Sequence, residues 1–154
     1  METPLLLKSE VKRKRNQLML QKLLKQFQPY TIFLLDALGA SLSLLVLFAV
    51  IVPFQPYFGM PLEVLQKLGI LAGIMFFYSN TCFMQKPKHW KWFLLGVMIG
   101  NLTYCGISMY FLFQNWIVLQ PLGAVYFIWE KIVILAIVAY EGFILTKSEE
   151  SLKA

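Results

Sequence analysis

PLGAVYFIWEKIVILAIVAYEGFIL, residues 121–145, is the stretch whose reading decides the fold. As a helix rising 1.5 Å per residue it runs about 37 Å, enough to cross a hydrocarbon core of about 30 Å with tilt. Yet it carries Glu130 and Lys131 near its middle and Glu141 nearer its end. Ionisable groups at such depth are costly unless they face other helices or a water-filled space. A lone helix of this kind makes a poor lipid-facing span, so further spans are expected to shelter its charges.

Composition points the same way. The chain has 154 residues, 58% hydrophobic and 14% charged, with a mean hydropathy of +0.64. Soluble domains average about 45–50% apolar and about 25% charged, so lipid must be the second solvent. One domain is expected from the length. A net charge of +6 would suggest nucleic acid in a soluble protein. Here Lys8, Lys12, Arg13, Lys14, Arg15, Lys22 and Lys25 make up half of the 14 basic residues. That clustering speaks for membrane topology and against a nucleic-acid partner.

The expected fold is all-α: a polytopic membrane protein, a bundle of four transmembrane helices preceded by a basic amphipathic helix. Residues 1–28 form the basic segment. Leu20, Leu23, Leu24 and Phe27 in it follow i, i+3, i+4, i+7, an apolar face suited to an anionic leaflet. A plain topogenic tail is the alternative. The transmembrane domain covers 29–146, with spans at about 31–52, 62–84, 90–113 and 117–145, the last starting between Trp116 and Pro121; 147–154 form a tail. Pro53 and Pro56 break the chain after span one, and Pro61 with Glu63 reads as a helix start. Lysines crowd the 85–91 loop, whereas Lys and Arg are lacking between spans three and four. This alternation places both termini in the cytoplasm.

Gly69 and Gly73, and Gly96 and Gly100, are spaced four apart, and Ala37, Gly39, Ala40, Ser41 and Ser43 crowd the first half of span one. Small residues let helices approach closely in lipid, within the chain or in a homo-oligomer. Counting at 1.5 Å per residue puts Asp36, Asn80, Thr81 and Glu141 within about 8 Å of the cytoplasmic ends. Asn101, Tyr104, Cys105, Glu130 and Lys131 form a deeper group at roughly 16–23 Å, and Lys67 lies at about 25 Å. Asn101, Tyr104, Cys105 and Ser108 share one face, which Glu130 is expected to meet, close to Lys67 or Lys131. Adjacent residues point about 100° apart, so Glu130 and Lys131 are no automatic pair. Such groups can serve function, or they can only fix helix register.

Much chemistry is excluded. His89 is the only histidine, and Cys82 and Cys105 are too far apart along the spans for a bridge. No C-x-x-C, phosphate loop or H-E-x-x-H occurs, and both arginines lie in the tail. No metal, cofactor or catalytic residue is therefore expected.

LLDALGA (34–40), FGMP (58–61), NLTYC (101–105) and YFIWE (126–130) together resemble an uncharacterised family of small four-helix bacterial integral membrane proteins. The resemblance covers about residues 30–145 and implies a fold and the bacterial inner (plasma) membrane, with no activity. Three functions remain open. One is a non-enzymatic helical module that packs with a membrane partner or with itself. Another is a small transporter or proton-linked conductor using Glu130 with Lys131 or Lys67. The third is an intramembrane enzyme or a lipid or quinone binder using Tyr104 and Glu130 in a pocket lined by Trp129 and Phe127.

Overall fold

The computed structural model describes residues 30–153, with side chains described through Thr146. The basic amphipathic segment, 1–28, lies outside the described residues. Four helices are long and apolar enough to cross a membrane: α1 (Tyr30–Ile51), α3 (Leu62–Gln85), α4 (Trp90–Gln114) and α5 (Pro121–Lys153), whose candidate span is Pro121–Thr146. No strand occurs among the described residues.

The segment after α1 is not a plain loop. A short helix, α2 (Gln55–Phe58), occupies it, with Pro56 in its first turn, where a missing N–H leaves no bond unmade. Gly59, at φ 76°, then ends the helix in the left-handed region, and its N–H donates to Gln55 O at 2.9 Å. Pro61 caps α3 from outside, and the helix begins at Leu62. At the other turn, Asn115 closes α4 by donating from Nδ2 to Phe111 O at 2.9 Å. Residues 115–118 form turns, and α5 opens at Pro121, where proline is well accommodated. Gln120 N donates to Phe58 O at 3.1 Å, tying this turn to α2.

Inward faces follow the helical period. In α4 the buried residues are Leu94, Val97, Asn101, Tyr104, Cys105, Ser108 and Leu112. In α5 they include Gly123, Phe127, Glu130, Lys131, Val138 and Glu141. The outward faces are equally apolar: Leu35, Leu38, Leu42, Leu45, Ile70, Phe77, Ile99 and Ile132 are all exposed. Such a continuous apolar exterior would be intolerable in water and is the surface that hydrocarbon covers.

Two apolar clusters hold the helices. Ile32 and Phe33 of α1 pack with Cys82, Leu94 and Val97 at the end bearing the 86–89 loop. Leu47 and Ile51 pack with Phe58, Leu65, Leu68, Leu112 and Phe127 toward the opposite end. The last turn of α1, Leu47–Ile51, is π-helical, with Val52 N bonded to Leu47 O at 2.9 Å. It sets Leu47 and Phe48 against the side-chain-free surface of Gly69. Gly96 and Gly100 make room in the same way for Tyr78 and Met75, whereas Gly73 faces open space.

Candidate functional site

Seven polar or charged residues are buried among the described ones: Asp36, Ser79, Asn101, Ser108, Glu130, Lys131 and Glu141. Six of them fall into two connected groups and one isolated acid, and the Ser108 hydroxyl on α4 makes no hydrogen bond.

The first group is centred on Asp36 of α1. Ser79 Oγ of α3 donates to Asp36 Oδ2, and Asn101 Nδ2 of α4 donates to Oδ1 at 2.6 Å. Three helices are thereby joined through one carboxylate. The second group is centred on Glu130 of α5. Tyr104 of α4 donates from its hydroxyl to Oε1 at 3.0 Å, and Lys131 Nζ reaches Oε2 at 2.6 Å. The Lys131 ammonium also lies 5.3 Å from the Tyr104 ring centre and 5.6 Å from that of Phe127. A buried ion pair is tolerable only when such extra contacts complete it. Glu141 stands apart. It is fully buried, within electrostatic range of Asp36, and neither carboxylate oxygen has a hydrogen-bond partner.

These placements differ in part from the depth count. Asn101 bonds to Asp36, which the count assigns to another layer. Lys67 is exposed, with its Nζ 5.9 Å from the Phe111 ring centre, so Lys131 alone neutralises Glu130. Asn80 and Thr81 bond locally, to Met84 Sδ and Phe77 O. Their neighbour Ser79, which the sequence reading passed over, is the one that faces inward. Its position was signalled by period alone, since Ala72, Ser79 and Cys82 lie on the buried side of α3. Cys82 and Cys105 are both buried, free thiols.

Between α1, α3, α4 and α5 lies a cavity of about 290 Å3. Its α1 wall includes Gly39, Ala40 and Ser43, whose small size leaves space. Ala72 and Met75 of α3, and Val133, Ile134 and Ile137 of α5, supply apolar wall. Asp36, Asn101, Tyr104 and Glu130 bring the two polar groups to its surface. Tyr126 and Trp129 add aromatic edges. Phe127 is not in the wall; it is 1% exposed, in the apolar cluster near the Lys131 ammonium. Leu42 and Trp129, also in its lining, are 63% and 64% exposed on the apolar exterior, so the cavity reaches the outer surface of the bundle at these residues.

No family model, curated protein or solved structure matches this chain.

Its chemistry is consequently read from geometry. No group of three or more His, Cys, Asp or Glu residues that could hold a metal occurs among the described residues. What the site offers is a space of about ten water volumes, mostly apolar, with polar groups in its wall. Pockets of this make-up bind molecules that are themselves mostly apolar and oriented by a few polar contacts.

Proposed function

We propose that this chain is a non-enzymatic membrane module, a four-helix bundle that binds an amphiphile drawn from the bilayer. The observation that carries this reading is the cavity of about 290 Å3, whose lining includes Leu42 of α1 and Trp129 of α5, both exposed on the apolar exterior. A space lined mostly by apolar side chains with a few polar groups accepts apolar matter readily. The polar groups at Asp36 and Glu130 give a head group something to meet. The positive-inside pattern supports a topology with both termini in the cytoplasm.

Ala40→Leu would fill the cavity from α1, while Gly73→Leu places the same side chain, one carbon more of added bulk, where open space lies. Native mass spectrometry of protein extracted gently from membranes should show a retained amphiphile in the wild type and in Gly73→Leu. It should be lost from Ala40→Leu. Equal retention in all three would overturn the reading. A pH-dependent flux through liposomes, abolished in Glu130→Gln with the fold intact, would favour the conductor instead.

A further inference from the structure

The binding reading leaves the head group's chemistry open, and the distribution of charge around the cavity constrains it. Three acids are buried among the described residues, Asp36, Glu130 and Glu141, against one amine, Lys131. That amine is not in the cavity wall; it is committed to Glu130 Oε2 and lies near the faces of Tyr104 and Phe127. Asp36, which is in the wall, receives only neutral donors, Ser79 and Asn101. The cavity thus presents a carboxylate with neutral partners and a second acid already neutralised. An ionised carboxylate accepts through about four lone-pair sites, and Asp36 has two donors described. An anionic head would meet this carboxylate with no free cation in the wall, and like charges brought together in a site shielded from water repel.

We propose that the cavity selects amphiphiles whose head is a hydrogen-bond donor, a hydroxyl or a primary ammonium, which docks on Asp36, and that it rejects anionic heads. The apolar chain leaves past Leu42 and Trp129 into the bilayer. This proposal rests on the binding reading above.

The test uses the full chain in phosphatidylcholine nanodiscs, with Trp90→Phe, Trp92→Phe and Trp116→Phe so that Trp129 at the mouth is the remaining fluorophore. The probes are dodecanol, dodecylamine and dodecanoate, each brominated on the chain to quench tryptophan. Quenching seen equally in the Ala40→Leu variant reports probe in bulk lipid and is subtracted. The alcohol and the amine should give a saturable cavity component, and the carboxylate one at least about tenfold weaker. A stronger amine than alcohol shows that the Asp36 charge contributes, and equal binding shows hydrogen bonding alone. Carboxylate binding equal to or tighter than the other two overturns the selectivity while leaving the binding reading standing. Absence of a saturable component for all three probes removes both. The comparison is made on the wild-type cavity, so it does not depend on whether an Asp36 variant folds. Asp36→Asn, if it folds, should abolish any preference for the amine.

Discussion

Asn101 Nδ2 on α4 lies 2.6 Å from Asp36 Oδ1 on α1, across 65 residues of sequence. With Ser79 on the other oxygen, this bond fixes three helices at one point. Replacing Asn101 with Leu leaves a buried carboxylate oxygen without its donor. The expected loss is about 1–3 kcal/mol, more than the roughly 0.6 kcal/mol of an average interhelical hydrogen bond in a membrane, because a carboxylate is exposed to hydrocarbon. Thermal unfolding in detergent measures it, and an Asn101→Leu protein as stable as wild type would contradict the assignment.

Glu130 and Lys131 form the buried ion pair. Lys131→Met removes the compensating charge and should cost roughly 3–5 kcal/mol. The double change Glu130→Gln with Lys131→Met removes both charges and should recover most of that loss. Lys67→Ala, at an exposed ammonium beside Phe111, should cost no more than about 0.5–1 kcal/mol. A double variant as unstable as Lys131→Met alone would refute the pairing.

Glu141 is buried with both carboxylate oxygens unpartnered. A group that contributes no hydrogen bond and carries a desolvation cost can be replaced by an apolar residue of similar volume without loss. Glu141→Leu should therefore raise the melting temperature in detergent. A clear drop would mean that the acid has a partner in the folded protein in its membrane.

How much of this was legible in the sequence differs from residue to residue. The four spans were legible because each apolar run is long and bounded by prolines or a polar loop. The inward faces were harder to read, since in lipid both faces of a helix are apolar and hydropathy does not distinguish them. Polar residues such as Asp36, Asn101 and Glu130 mark the inside instead. Their pairing was not legible. Counting residues from helix ends assumes that all helices start on one plane and that side chains do not reach along the axis. The Asp36–Asn101 bond violates that assumption. Ser79 escaped notice because one hydroxyl is a weak signal beside Asn80 and Thr81, and only the rotational phase of α3 separates them.

Gly123, at the start of α5, lies where any side-chain carbon would collide with Phe58 O, the carbonyl that accepts from Gln120 N. Gly123→Ala should destabilise the protein by about 1–3 kcal/mol. Gly106→Ala, on α4 with open space around it, should be neutral or gain up to about 1 kcal/mol from helix propensity. Comparing the two variants in one unfolding assay separates steric conflict from backbone entropy, and equal effects would count against the close approach.

That the cavity is lined by the outward-exposed Leu42 and Trp129 has a consequence for how affinity is to be expressed. A site filled through the lipid phase responds to the mole fraction of its occupant in the surrounding leaflet, so its aqueous concentration is a poor guide. Solubilisation replaces that leaflet with surfactant whose own alkyl tails compete for the same space. Occupancy measured in a micelle will therefore track the surfactant chosen, and only titration within a bilayer of fixed composition yields a constant belonging to the protein.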